Sequence, residues 1–73
     1  MSNNQFNIRV ALLLSDAGIT QKELAATLGI NPQTFNGYMT AYRTIPLATV
    51  IKVADHFGVT TDYLLGRSDT PRP

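Results

Sequence analysis

Apolar residues recur along most of the chain at steps of three and four positions, which is the spacing of an amphipathic helix. Glycine, proline, threonine and asparagine interrupt this spacing and divide the chain into short segments. The predicted helices span residues 7–17, 21–28, 32–40, 47–57 and 61–65. In the fourth helix, the spacing predicts that the inward-facing residues are Leu47, Val50, Ile51, Ala54 and Phe57. Apolar and polar residues do not alternate in the way that indicates strands. The pattern therefore predicts a compact all-α domain of five helices joined by short links.

The start and end signals of the second and third helices are the most specific local features. Thr20 and Glu23 have the spacing of a capping box, in which each side chain accepts a hydrogen bond from the other residue's backbone N–H. Asn31 followed by Pro32 is typical of a helix N-terminus, because proline lacks the N–H that would be unpaired there. Gly29 favours a tight turn between the two helices. These signals predict two short helices that meet at a turn.

The dipeptide Asn36-Gly37 is ambiguous, because asparagine followed by glycine is typical of a two-residue hairpin turn. Phe35, Tyr38 and Met39, however, have the i, i+3, i+4 spacing of one helix face, and the flanking residues lack the alternation of strands. We therefore predict one continuous helix through this dipeptide. A glycine inside a helix destabilises it by about 1 kcal/mol relative to alanine.

Composition limits the kinds of function that the chain can support. Its 73 residues suffice for one small domain, and 44% of them are hydrophobic. No cysteine and only one histidine are present, which leaves no thiolate zinc site and no multi-histidine site, so we predict neither metal nor cofactor. We find no nucleophile and base with a third group to orient them, and we predict that the chain is not an enzyme. The absence of cysteine, of a signal peptide and of a long apolar run is consistent with a cytoplasmic protein without a membrane segment.

Charge is low for a protein that binds nucleic acid. The net charge of +1 comes from the last residues, 67–73, whose two arginines and one aspartate contribute +1. The remaining residues, 1–66, contain four basic and four acidic side chains. We predict that 1–66 form the domain. The tail 67–73 is rich in proline and charge and lacks an apolar anchor, so it is predicted to be disordered or to begin a linker.

Two segments of the sequence resemble a known family. The first is ITQKELAATLGI (residues 19–30), and the second is IKVADHFGVTTDYLLGR (residues 51–67), with YRTIP (residues 42–46) between them. At these residues the chain resembles the lambda-repressor and Cro type of helix-turn-helix domain, the Xre family. The resemblance covers residues 10–67. It implies a five-helix fold and a DNA-binding role, usually in a repressor-like transcriptional regulator of bacteria or phages.

The resemblance also implies that the third helix enters the major groove of double-stranded DNA. Gln33 and Asn36 lie one turn apart on a face opposite Phe35, and each carboxamide can form two hydrogen bonds to adenine. Gln21 matches a phosphate contact at the start of the second helix, and Arg43 matches a basic position after the third. The predicted DNA-binding residues are Gln21, Lys22, Gln33, Thr34, Asn36, Gly37, Thr40 and Arg43.

The sequence departs from the family pattern at positions that change the interpretation. Gly37 stands where the family often has a long polar side chain, and we hypothesise that it lets the helix backbone approach DNA closely. Met39 and Leu14 stand where the family usually has a buried glutamate and arginine. Both are apolar here, which indicates that a hydrophobic contact replaces the ion pair as a unit.

One domain of this size contacts a single half-site, so the resemblance implies a homodimer on a palindromic operator. Two alternatives stay open at this stage. The domain could be a degenerate helix-turn-helix that binds protein, as an antirepressor or adaptor, which the neutral charge and Gly37 favour. It could also be a DNA-binding antitoxin.

Overall fold

A computed structural model describes residues 4–40 and 44–72 of the chain. Five helices follow one another: α1 (Asn4–Ala17), α2 (Gln21–Leu28), α3 (Pro32–Met39), α4 (Leu47–Phe57) and α5 (Thr61–Leu64). All regular secondary structure in this described part is helical, which confirms the predicted all-α, five-helix fold. The starts of α2 to α5 agree with the sequence prediction. Helix α1 begins at Asn4 rather than at residue 7, because Phe6 in the added turn is only 2% exposed and anchors it in the core.

The hydrophobic core draws on every helix. Each of the five helices contributes one of its five largest fully buried side chains, and each of these stabilises the fold by about 1.5–3 kcal/mol through burial of apolar surface. They are Val10 of α1, Leu24 of α2, Phe35 of α3, Val53 of α4 and Leu64 of α5. The domain therefore depends on one shared core, and α3 is fixed to it through Phe35.

Local signals set the ends of the helices as the sequence predicts. The capping box of α2 is present: Thr20 Oγ1 accepts from Glu23 N at 3.1 Å, and Glu23 Oε1 accepts from Thr20 N at 2.8 Å. Gly29 closes α2 with φ of +71°, a left-handed conformation in which side chains other than glycine are strained. Ile30 N then donates to Ala25 O at 2.9 Å, which turns the chain toward α3.

The buried face of α4 differs from the sequence prediction. Leu47 and Ile51 were expected to point inward, but they are 65% and 43% exposed. Val50, Val53 and Ala54 are the apolar residues of α4 that lie in the core. The apolar residues of α4 cover more of the helix surface than its neighbours can bury, so packing rather than spacing selects the buried side. Leu47 and Ile51, one turn apart, form an exposed apolar stripe.

The segment after α5 contacts α1, although the sequence predicts a disordered tail. Arg9 lies with its guanidinium carbon 4.3 Å from the centre of the Tyr63 ring. Its Nη1 donates to Ser68 O at 3.1 Å, and its Nη2 lies 3.1 Å from Asp69 Oδ1. Since Asp69 is fully exposed, the ion pair contributes little, and the stacking and backbone contacts are the main attachment.

A second contact of the same segment lies at the start of α5. Thr60 N donates to Pro71 O at 2.9 Å, and Arg72 Nη2 lies 3.5 Å from Phe57 O. The tail is attached through backbone carbonyls and arginine side chains rather than through apolar side chains. The apolar pattern of the sequence therefore does not predict this attachment. The tail thus follows the domain surface from α1 to the junction of α4 and α5.

Candidate nucleic-acid interface

Helices α2 and α3 pack closely because the residues between them are small or fully buried. Leu24, Ala25 and Phe35 are all 0% exposed. Ala25 has no side chain beyond Cβ, which lets α3 approach α2. With Phe35 held in the core, the rotation of α3 about its axis is fixed. The opposite side of α3 is consequently left at the surface.

The N-terminus of α3 is capped by Asn31. Its Oδ1 accepts from Gln33 N at 2.8 Å and from Thr34 N at 3.3 Å, and Pro32 occupies the first helical position. The cap satisfies two backbone donors that would otherwise be unpaired. The side chain of Gln33 is exposed and that of Thr34 is half-buried. Both therefore project from a turn whose backbone is held at fixed positions.

Two of the predicted site residues contact each other directly. Gln21, the first residue of α2, donates from Nε2 to Oδ1 of Asn36 on α3 at 3.0 Å. Asn36 is exposed and Gln21 is half-buried. The sequence predicted a role for each residue separately but not their contact, because the contact depends on how α2 packs on α3.

Gly37 differs from its expected outward position. It is buried in the DNA-free chain, as is Phe35 on the same helix. Glycine lacks Cβ, so the buried group here is the helix backbone itself. The hypothesis that the α3 backbone approaches DNA closely at Gly37 stays a prediction. Thr40, the C-cap, is exposed, and its Oγ1 donates to Gly37 O at 3.2 Å.

Basic side chains are few around α2 and α3. Lys22 is exposed beside Gln21 at the start of α2. Lys52 of α4 places Nζ 3.5 Å from Leu28 O at the C-terminus of α2, where a positive charge is favourable. Arg43, which the resemblance places near phosphate, lies outside the described residues. Polar side chains thus outnumber charged ones on the candidate surface that the structure describes.

Asn7 makes a contact between α1 and α3 that is not among the sequence predictions. Its Nδ2 donates to Met39 O at 2.6 Å and joins α1 to the last turn of α3. Asn7 lies on α1 three residues before the buried Val10, so it is a polar residue within an apolar stripe. This departure from the apolar pattern is visible in the sequence and indicates a buried polar contact. Leu14 is 8% exposed, and Met39 packs against the core that contains it. A direct contact between these two side chains in place of an ion pair stays a prediction.

Within residues 4–40 and 44–72, no group of three or more histidine, cysteine, aspartate or glutamate side chains lies close enough to hold a metal ion. Within these ranges, no helix is both long enough and apolar enough to cross a membrane. The predicted site residues that lie together are those of α2 and α3.

Comparison with known proteins identifies the family. A family model described as helix-turn-helix matches residues 9–64, which include all of α2 to α5 and most of α1. The chain belongs to this helix-turn-helix family. The resemblance to lambda-repressor and Cro domains is thereby confirmed, and the family relationship covers the α2–α3 pair described above.

Two curated relatives from Bacillus subtilis (strain 168) share this helix-turn-helix region. The HTH-type transcriptional regulator ImmR is 38% identical over 56 residues, which cover 77% of this chain and 44% of ImmR. The uncharacterized HTH-type transcriptional regulator YobD is 33% identical over 55 residues, or 75% of this chain and 49% of YobD. The chain spans about half the length of these relatives. No solved structure matches it.

Proposed function

We propose that this chain is a DNA-binding domain of a transcriptional regulator and that it recognises specific double-stranded DNA with α3 in the major groove. One observation carries the proposal. Phe35 fixes α3 in the core and Asn31 caps its start, so that Gln33 and Asn36 project on an exposed face. Membership of the helix-turn-helix family and the printed names of ImmR and YobD support it.

The exposed side chains divide into two roles. Gln33, Asn36 and the methyl group of Thr34 read base edges, because carboxamides match the donors and acceptors of the major groove. Gln21, Lys22 and Thr40 contact phosphates and set the register, and we assign Arg43 to the same role. With few positive charges, the domain gains little affinity from counterion release, so its binding should depend only weakly on salt.

A homodimer follows from the size of the reading surface. Helix α3 has 8 residues and is therefore about 12 Å long, which spans only a few base pairs. Two copies related by a two-fold axis would read half-sites about one helical turn apart, and the operator would be palindromic. A repressor-like action, in which the bound dimer blocks a promoter, fits the resemblance to lambda repressor.

Selection of bound sequences from a random double-stranded DNA pool tests the proposal. The wild-type chain should enrich one palindromic motif, and fluorescence anisotropy should then give its affinity across a range of salt concentrations. Gln33→Ala should relax the preference at one base pair by about tenfold. Gln5→Ala, which removes the same side chain from the exposed surface of α1, is the matched control and should leave the motif unchanged. Enrichment of no motif by the wild type would contradict the proposal.

A second candidate is a protein-interaction module, such as an antirepressor or an adaptor. The exposed apolar stripe of Leu47 and Ile51 and the balanced charge of residues 1–66 favour it. In this case Gln33→Ala would have little effect on partner binding, whereas Leu47→Lys would weaken it. An antitoxin, which would also bind DNA, is recognised by a toxin gene beside its own.

A further inference from the structure

The hydrogen bond between Gln21 and Asn36 joins the start of α2 to the middle of the exposed face of α3. It is 3.0 Å long, with Gln21 Nε2 as donor and Asn36 Oδ1 as acceptor. Neither residue belongs to the buried core. The bond therefore adds little to folding, and its main consequence is the orientation of the Asn36 carboxamide.

That orientation decides which end of Asn36 faces a ligand. A carboxamide has an acceptor oxygen at one end and an NH₂ donor at the other. Because Oδ1 is turned toward Gln21, Nδ2 is turned away from α2 on the exposed side of α3. Reading adenine with both ends would require Oδ1 to accept from adenine N6 while Nδ2 donates to N7. Oδ1 can accept a second hydrogen bond, so Gln21 does not exclude this mode but fixes which end of the carboxamide is presented as the donor.

We infer that Gln21 is a specificity-determining residue, which holds Asn36 as a hydrogen-bond donor toward the major groove. The inference rests on the proposed function and names the chemistry that the site would select. Asn36 Nδ2 then pairs with a base acceptor, which is N7 of a purine, O6 of guanine or O4 of thymine. The second hydrogen of Gln21 Nε2 is free to donate to a phosphate oxygen, so one side chain links backbone contact to base reading.

Replacing the donor at position 21 by an acceptor should reverse this preference. In Gln21→Glu the carboxylate only accepts hydrogen bonds. Asn36 must then turn Nδ2 toward it, which leaves Oδ1 facing the groove. The preferred base group changes from an acceptor to a donor, which is N6 of adenine or N4 of cytosine. One hydrogen bond exchanged in this way should shift the preference at that base pair by about three- to tenfold.

Matched variants separate orientation from charge. Gln21→Glu also makes the surface more negative by one charge, which weakens binding to all sequences. Lys22→Gln changes the charge of the neighbouring position by the same amount, so it should lower affinity uniformly and leave the preferred base pairs unchanged. Gln21→Ala removes the partner altogether and should flatten the preference at the same position by about threefold.

Selection from a random DNA pool with each variant tests the inference, and circular dichroism checks that each variant is folded. Asn36→Ala first locates the base pair that Asn36 reads, because only that position should lose its preference. Gln21→Glu should change the preferred base pair there and nowhere else in the half-site. In the DNA-free protein, the Asn36 Nδ2 protons should also move downfield in the NMR spectrum of Gln21→Glu, since they then donate to a carboxylate.

The outcomes distinguish this inference from the proposed function. A wild-type chain that enriches no sequence refutes both. A wild-type motif that is unaltered by Asn36→Ala shows that Asn36 reads no base and refutes the inference alone. If Asn36→Ala flattens one position but Gln21→Glu keeps the wild-type base pair at it, Gln21 does not set the orientation, and the inference is again wrong.

Discussion

Removing the hydroxyl group that caps α2 should destabilise the domain measurably. In Thr20→Ala, the backbone N–H of Glu23 loses its acceptor at 3.1 Å, and the reciprocal bond from Thr20 N to Glu23 Oε1 at 2.8 Å loses the geometry that supports it. Loss of an N-cap side chain lowers the free energy of unfolding by about 1 kcal/mol, within a range of about 0.5–2 kcal/mol. For a domain of this length, 1 kcal/mol corresponds to a decrease in Tm of about 4–8 °C.

Thr27→Ala is the matched control, because it makes the same substitution within the same helix. Thr27 is exposed, and its Oγ1 donates to Glu23 O at 3.0 Å, a local bond that competes with the helix rather than capping it. Alanine has the higher helix propensity, so Thr27→Ala should change stability by no more than about 0.5 kcal/mol, with an increase favoured. Thermal and urea unfolding followed by circular dichroism measure both variants. Equal destabilisation by the two substitutions would refute the assignment of the capping box as a specific stabilising feature.

Three further predictions concern packing and the tail. Met39→Glu alone should destabilise the domain, and Leu14→Arg should recover part of the loss when the two are combined, as a double-mutant cycle by urea unfolding would measure. Val53→Ala should lower the free energy of unfolding by about 2 kcal/mol, whereas Ile51→Ala, on the exposed side of the same helix, should change it by less than about 0.5 kcal/mol; similar values would contradict the observed burial. Arg9→Ala should release the segment after α5, which limited proteolysis would detect as faster cleavage there, and unchanged cleavage would show that Arg9 does not hold it.

The features that the sequence predicted well are those set by neighbours along the chain. A capping box joins residues three positions apart, so the pair of Thr20 and Glu23 can be recognised in the sequence without knowledge of any tertiary contact. The same holds for Asn31 and Pro32 at the start of α3 and for the glycine after α2. These local signals account for the correct order of the helices and for most of their boundaries.

The features that were missed depend on contacts between distant parts of the chain. The exposed stripe of Leu47 and Ile51 has apolar spacing equal to that of a buried face, and only the packed neighbours decide between the two. The hydrogen bond between Gln21 and Asn36 spans 15 residues of sequence, and its geometry exists only after α2 packs on α3. The contact between Arg9 and Asp69 spans 60 residues. Sequence spacing carries no information on such pairs.

The helical conformation of Asn36 and Gly37 also affects the rate at which Asn36 deamidates. In a flexible chain, the backbone nitrogen after an asparagine attacks the side-chain carbonyl carbon and forms a succinimide, and glycine at the next position makes this deamidation fastest. Within α3 the helical backbone keeps the Gly37 nitrogen away from that carbon, and Gln21 holds the carboxamide toward α2. Each unfolding event removes this protection. Succinimide formation expels the side-chain nitrogen as ammonia, and hydrolysis of the ring gives aspartate or isoaspartate, the latter with an additional methylene in the backbone of α3. A sample stored near its unfolding midpoint would therefore progressively lose the NH₂ donor at this position, and the molecules with isoaspartate would also lose the regular backbone of α3.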